Sequence, residues 1–244
     1  MRVGSEYLVG VQSLSLPLII AIIIDMCGRY SLIATVDQLL EEFGLVEPDE
    51  IEARYNIAPS QQVPVVRLSE GGRRLDSLKW GLVPSWAKDP KIGYRMINAR
   101  SETVAEKPSF RTALKRRRCI IPASGFFEWK RDGKRKVPYY FRAKSGAPFG
   151  LAGLWEHWEG GEGRLETCTI LTTSANAVVG KVHDRMPVIL GNANYSAWLD
   201  TEGEFKGGTG DIFLPYPANE IEAYEVSSEV NSPKTDNSSL IEPV

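Results

Sequence analysis

Short apolar runs separated by turn residues fill residues 62–190, and this pattern constrains the fold more than any other feature of the sequence. The runs lie at 62–68, 74–83, 118–129, 137–143, 149–157, 167–173 and 186–190. Runs of this length that are rich in β-branched and aromatic residues are typical of strands. Asp132-Gly133 is the strongest of the turn signals and predicts a tight hairpin. The sequence therefore predicts a sheet built mostly from antiparallel neighbours.

Helical patterns are few and lie outside these runs. Residues 35–44 combine an N-cap threonine, apolar residues at helical spacing and a closing glycine, which together predict a helix. Shorter helices are predicted at 109–115 and 193–199, and a late strand at 222–226. The predicted fold class is α+β, a single domain of mostly antiparallel, curved or barrel-like sheets with peripheral helices.

The two ends of the chain differ from its middle. Residues 1–25 contain an apolar stretch at 16–24, which is shorter than the ~20 residues that span a bilayer. We predict that 1–25 is either a misassigned translation start ahead of Met26 or a propeptide. The folded domain is predicted at 26–226, followed by a disordered acidic tail at 227–244 that is rich in Ser and Asn.

Charge is distributed unevenly along the sequence. The net charge is −2, yet residues 218–244 hold six acidic side chains against one lysine, so the remainder is net positive. Basic clusters lie at 73–74, 115–118 and 130–136. Such clusters are often only solvated surface, so the charge permits a DNA partner without requiring one.

The three cysteines are far apart and form no C-x-x-C pair, which argues against a disulfide framework and fits a reducing compartment. With two histidines in the chain, a histidine-rich metal site is not expected. We expect no metal or organic cofactor.

Cys27 has distinctive chemistry if Met26 is removed. An amino-terminal cysteine carries an amine and a thiol on adjacent carbons, with pKa values of about 8 and about 8.5. The amine can condense with an aldehyde to an imine, and the thiol can then close a five-membered thiazolidine. An internal Cys27 cannot react in this way, and a buried structural cysteine is its ordinary interpretation.

Seven short motifs in one order resemble the SRAP family, the SOS-response-associated peptidases or abasic-site processing proteins. They are MCGRY at 26–30, YNIAP at 55–59, WGLVP at 80–84, NARSE at 98–102, RCIIP at 118–122, GFFEW at 125–129 and HDRMP at 183–187. The resemblance covers about residues 26–226. It implies the SRAP fold, removal of the initiator methionine before Cys27, and a covalent crosslink to abasic sites in single-stranded DNA.

The resemblance also implies a catalytic set of Cys27, Asn98, Glu128 and His183. Burial between aromatic neighbours would raise the pKa of Glu128, which suits a general acid/base. His183 would protonate the sugar ring oxygen and so open the abasic hemiacetal. Asn98 would hold the Cys27 amine and the substrate. Structural roles are the alternative for Asn98 and His183, and an outward-facing solvated side chain is the alternative for Glu128.

Five further residues are predicted to contact DNA. Arg29 and Arg100 offer planar forks for phosphates, with surface ion pairs as the alternative. Trp80 and Trp86 offer faces on which bases stack, with plain core packing as the alternative. Pro59 is predicted to line the same cleft.

The predicted function is covalent capture of abasic sites in single-stranded DNA, with weak strand cleavage by β-elimination as a secondary activity. One alternative is a cysteine peptidase in which Cys27 attacks its own Met26–Cys27 bond or another protein. Another is a lipid-anchored binding protein with Cys27 as the acceptor. We expect a monomer that does not bind membranes and lies in the cytoplasm, at the nucleoid when bound to DNA.

Overall fold

The computed structural model describes residues 27–46, 51–161, 163–202 and 211–244. The predicted start or propeptide at 1–25 lies outside these residues. The described strands are β1 Arg29–Leu32, β2 Arg54–Ile57, β3 Gln62–Ser69, β4 Gly72–Trp80, β5 Asn98–Arg100, β6 Arg118–Ala123, β7 Gly125–Asp132, β8 Arg135–Ala143, β9 Phe149–Gly160, β10 Gly163–Ser174, β11 Arg185–Pro187, β12 Ile189–Leu190 and β13 Ile221–Glu225.

Helices are short and peripheral. The α-helices are α1 Val36–Phe43, α2 Arg111–Arg116 and α3 Tyr195–Leu199, and the 3-10 helices are Pro90–Arg95, Val179–Lys181, Asn192–Asn194, Ala218–Glu220, Ser228–Asn231 and Ser238–Ile241. In α1, Thr35 and Gln38 form a reciprocal capping box, and Gly44 ends the helix with φ 60°. None of the helices in the described ranges is long and apolar enough to cross a bilayer.

The strands form two sheets. One has five strands in the order β13-β8-β7-β1-β2, and each neighbouring pair is antiparallel. In the other, β10, β4, β3, β6 and β9 pair in sequence, and β9 pairs with β10 to close a ring. Strands β5 and β11 both lie against β10, and β12 lies against β9. This architecture confirms the predicted α+β fold with mostly antiparallel, barrel-like sheets.

The predicted strand at 118–129 is in fact two strands, and the sheets meet where it breaks. Ser124 lies at the corner, where its Oγ accepts a hydrogen bond from the Ile33 N–H at 2.9 Å. Gly125 is required there because a Cβ would lie 2.3 Å from the Tyr140 ring. β6 thus stays in the ring, while β7 enters the five-stranded sheet beside β1.

The predicted disordered tail at 227–244 is wrong, because this segment is ordered against the five-stranded sheet. Val230 and Leu240 are fully buried and pack in one cluster with Phe127 and Tyr140. The Asn56 side-chain amide donates to three carbonyl oxygens of the segment, those of Val230, Ser232 and Thr235. The serines and asparagines that make the sequence look disordered instead occupy caps and turns. We call residues 227–244 the C-terminal strap.

Candidate active site

Cys27 lies immediately before β1, beside the part of β7 that carries Glu128. The β1–β7 register pairs Arg29 with Phe127, so the antiparallel ladder directs the chain from Arg29 back to Cys27 alongside Glu128. The Cys27 thiol is fully buried, and its Sγ lies 3.8 Å from the Arg29 carbonyl oxygen. Burial and, next, the charge of Glu128 raise the pKa of this thiol well above its ordinary value. The sulfur is therefore held as a thiol rather than a thiolate.

Glu128 is a buried carboxyl group without a partner. Its exposed fraction is 3%, and its Oε1 atom accepts no hydrogen bond from any described residue. Burial, followed by the charge of Asp184, raises the pKa of the carboxyl group well above its ordinary value. The direction of this shift is the one predicted from the aromatic neighbours. A group that is easily protonated and has a free oxygen suits proton transfer to a ligand.

Asn98 connects the ring of strands to Cys27. It begins β5, which runs parallel to β10, with Asn98 opposite Ile170. Its side-chain N–H donates to the Cys27 carbonyl oxygen at 2.9 Å, whereas the predicted contact was with the Cys27 amine. Its Oδ1 atom is buried and has no partner among the described residues. The amide therefore fixes Cys27 through the main chain and keeps an acceptor available.

His183 lies in the loop between β10 and β11, at a groove of about 600 Å³. Its Nδ1 accepts a hydrogen bond from the Arg185 N–H at 3.0 Å and lies 3.3 Å from a carboxylate oxygen of Asp184. The groove is lined by Arg100, Trp129, Lys130, Arg131, Lys181, Val182, His183, Asp184 and Arg185.

Arg185 and Trp129 line the groove but were not among the site residues predicted from the sequence. The Arg185 guanidinium group donates to both carboxylate oxygens of Glu102, at 2.5 and 2.9 Å, and to the Thr172 carbonyl oxygen at 2.7 Å. The Trp129 indole N–H donates to Asn231 Oδ1 at 2.7 Å. Both residues stand inside motifs quoted above, HDRMP and GFFEW, so the signal was their adjacency to His183 and Glu128.

The predicted DNA-contact residues fall in different places. Arg100 is exposed and lines the groove, as a phosphate contact would require. Arg29 instead holds the C-terminal strap, donating to the carbonyl oxygens of Val230 and Asn231. Its main contacts are thus structural, because its guanidinium group is already hydrogen-bonded to the strap.

Trp80, Trp86 and Pro59 differ in their exposure to solvent. Trp80 is 1% exposed, its indole N–H donates to the Ile97 carbonyl oxygen, and its ring packs edge-on against Tyr30. The predicted base contact by Trp80 is therefore wrong, because neither ring face is accessible. Trp86 is 58% exposed, and Pro59 is half-buried in the turn after β2. Across the described ranges there is no group of three or more His, Cys, Asp or Glu side chains placed to hold a metal ion.

Comparisons with known proteins place this geometry in a family. The sequence model for SOS response associated peptidase (SRAP) matches residues 26–233. The abasic site processing protein YoqW of Bacillus subtilis is 47% identical over 222 residues, covering 89% of this chain and 99% of the relative. The abasic site processing protein YedK of Escherichia coli is 30% identical over 235 residues, covering 90% and 100%. A crystal structure of a protein from Bacteroides thetaiotaomicron has a TM-score of 0.80 at 25% identity, covering 89% of this chain and 100% of that one. The chain therefore belongs to the SRAP family.

Proposed function

We propose that the protein processes abasic sites in single-stranded DNA by capturing them covalently on Cys27, once Met26 has been removed to expose the Cys27 amine. The observation that carries the proposal is the buried Glu128 carboxyl group, which has a partnerless oxygen and lies close enough to raise the pKa of the Cys27 thiol. The names of the relatives, abasic site processing proteins, support the substrate.

The first step opens the sugar. An abasic deoxyribose is largely a cyclic hemiacetal, and protonation of its ring oxygen releases the aldehyde. His183 lines the groove, and its imidazole ring can carry an exchangeable proton on a ring nitrogen. His183 therefore acts as the general acid from the wall of the groove.

The second step joins the Cys27 amine to the aldehyde carbon. Addition of the amine gives a carbinolamine, and loss of its hydroxyl group as water leaves an imine. Glu128 gives the proton that this water carries away, because the raised pKa of its carboxyl group favours the protonated form. Asn98 holds the Cys27 carbonyl oxygen, so the amine is kept at a fixed angle to the groove.

The third step closes the ring. The Cys27 sulfur adds to the carbon of the protonated imine, and the thiol proton passes to Glu128, which restores its carboxyl group. The nitrogen keeps the hydrogen that it already carries and becomes a secondary amine. One water is lost over the whole sequence, and no oxidant or reductant is needed. Weak strand cleavage follows from the same imine, because it makes the neighbouring carbon acidic enough for β-elimination.

Peptidase activity is the second candidate, since the family description names a peptidase. Cleavage of the Met26–Cys27 bond would supply the amine that capture requires, so the two activities are compatible. However, a peptidase nucleophile is favoured by a lowered thiol pKa, whereas burial raises the pKa of Cys27. The site therefore favours capture of aldehydes over general proteolysis.

Intact mass spectrometry tests the proposal. The protein is purified from its own host and measured before and after incubation with a single-stranded oligonucleotide that carries one abasic site. We expect a mass that begins at Cys27 and a heat-stable increase equal to the oligonucleotide minus one water. A protein that begins at Cys27 and gains no mass overturns the proposal. A casein-type substrate is cleaved in parallel, and proteolysis lost in a Cys27→Ala variant without any DNA adduct would favour the peptidase.

A further inference from the structure

The β7–β8 hairpin carries a concentration of positive charge that the catalytic steps above do not use. Residues 130–136 comprise three lysines, two arginines, one aspartate and one glycine. All seven are exposed, and the two-residue turn is made by Gly133, with φ 57°, and Lys134. We call residues 130–136 the basic ribbon.

The basic ribbon is continuous with the groove. β7 carries Glu128 at the buried site, then Trp129, Lys130 and Arg131 along the groove wall. Side chains two residues apart on a strand share one face and stand about 7 Å apart, so Lys130 follows Glu128 along the same side. A strand of DNA that leaves the groove in this direction meets the basic ribbon next.

Arg131 has an interaction partner, whereas the other four positive charges of the basic ribbon are not used by the part of the chain that the structure describes. Lys130, Lys134, Arg135 and Lys136 make no side-chain hydrogen bond or ion pair with any other residue that the structure describes. Lys134, Arg135 and Lys136 are consecutive along the hairpin, and like charges this close to one another repel. Only Asp132, opposite Arg135, offsets the charge within the ribbon. A polyanion along the ribbon would relieve this repulsion.

We infer that the basic ribbon is a second binding site, which holds the phosphates of unmodified nucleotides flanking the lesion in single-stranded DNA. The assignment of DNA as the ligand rests on the proposed function, because the ribbon extends the wall of the groove assigned to the abasic site. Neutralisation of about three phosphates by the ribbon's side chains would release counterions from the DNA. This contribution would therefore be salt-dependent, with a slope in log K against log salt of about −2. The contribution does not depend on base sequence, since no base-edge contact is invoked.

The test is a combined Lys134→Ala, Arg135→Ala, Lys136→Ala variant. Its matched control is Arg111→Ala, Lys115→Ala, Arg116→Ala, which removes the same charge from exposed positions on α2. Fluorescence anisotropy measures binding of each protein to an undamaged single-stranded oligonucleotide over a range of salt concentrations. We expect about tenfold weaker binding and a salt slope smaller in magnitude by about 2 for the ribbon variant, with wild-type behaviour in the control. Equal affinities for the ribbon variant and wild type, or equal losses in ribbon and control variants, overturn the inference.

Crosslinking separates this inference from the proposed function. With an abasic oligonucleotide too short to reach the ribbon, the ribbon variant should react at the wild-type rate. With a long oligonucleotide at limiting protein, it should react about tenfold more slowly. If wild type forms no crosslink with either oligonucleotide but the ribbon variant still loses affinity, the proposed function fails and the ribbon assignment stands. A ribbon variant that is slow on both lengths overturns the ribbon as a distinct site.

Discussion

The Trp129 indole N–H and the Asn231 side-chain oxygen are 2.7 Å apart, and this hydrogen bond joins the wall of the groove to the C-terminal strap. Asn231 is itself fixed because the Arg29 guanidinium group donates to its carbonyl oxygen. Arg29 follows Cys27 by two residues, so the strap, the groove wall and the start of β1 form one connected unit. The position of the Trp129 ring in the groove therefore depends on a residue about a hundred positions further along the chain.

Replacing Asn231 by alanine should slow capture of an abasic oligonucleotide about fivefold, because the indole N–H loses a partner worth about 1 kcal/mol. Asn231→Asp keeps an acceptor oxygen and should react near the wild-type rate. Single-turnover crosslinking measures both, with thermal melting as a check on folding. Asn237→Ala is the matched control, since Asn237 caps the Ser238–Ile241 helix without touching the groove. Similar slowing in Asn231→Ala and Asn237→Ala would show a general effect of the strap.

Glu128→Gln should abolish proton transfer and yet stabilise the fold above acidic pH. The folded carboxyl has a raised pKa, so the native state holds its proton where the unfolded chain has lost it. Stability from this group is therefore lost as pH rises from about 4.3, the unfolded value, through the folded value. The free energy of unfolding of Glu128→Gln should exceed that of wild type at pH 8 and differ less at pH 4. Crosslinking should slow about 100-fold.

Denaturant unfolding at the two pH values checks the stability part of this prediction. A wild-type protein that is more stable than Glu128→Gln at pH 8 would mean that the carboxylate has a compensating partner in the folded state.

His183→Gln should slow capture of a natural abasic site about 100-fold, because ring opening loses its general acid. An oligonucleotide that carries an acyclic aldehyde needs no ring opening, so it should react with the variant at nearly the wild-type rate. The ratio of the two rates in each protein is the measurement. Equal slowing on both substrates would assign His183 to a later step or to positioning.

Substitution of Trp86 should change DNA affinity, whereas substitution of Trp80 should change stability. Trp86→Ala removes an exposed face, so affinity for single-stranded DNA should fall about tenfold, with unfolding changed by less than about 0.5 kcal/mol. Trp80→Ala removes a buried ring and should cost about 3–5 kcal/mol of stability. Anisotropy and chemical denaturation distinguish them. Unchanged DNA affinity in Trp86→Ala would remove Trp86 from the binding surface.

Much of the fold was predictable because turn chemistry is local. The Asp132-Gly133 signal gave the β7–β8 hairpin, and Thr35 with Gly44 marked both ends of α1. Pro122 and Gly125 interrupt the predicted strand at 118–129, but an interruption does not by itself predict that the chain passes from one sheet to another at Ser124. What divides β6 from β7 is the close approach of Tyr140 to Gly125, a tertiary contact that leaves no trace in a hydrophobic pattern.

The motifs identified the residues of the candidate site, but the hydrogen bonds between them could not be predicted. Burial of Glu128 followed from Phe127 and Trp129 as neighbours, whereas the bond from Asn98 to the Cys27 carbonyl depends on β5 lying against β10. Trp80 and Trp86 are six positions apart, and both were predicted to contact DNA. In the structure Trp80 is buried and Trp86 is exposed. The C-terminal strap was missed because its main-chain carbonyl oxygens accept hydrogen bonds from the Asn56 side chain of β2, a contact that composition alone cannot reveal.

The strap also sets an order in which the working site is completed during synthesis. Cys27 and Arg29 leave the ribosome early, whereas Val230 and Asn231, whose carbonyl oxygens accept hydrogen bonds from Arg29, are added about two hundred residues later. At a synthesis rate of about 5–20 residues per second, that interval is about 10–40 s. The residue proposed to react is therefore made first, and the contacts of the strap with Arg29 and Trp129 form last.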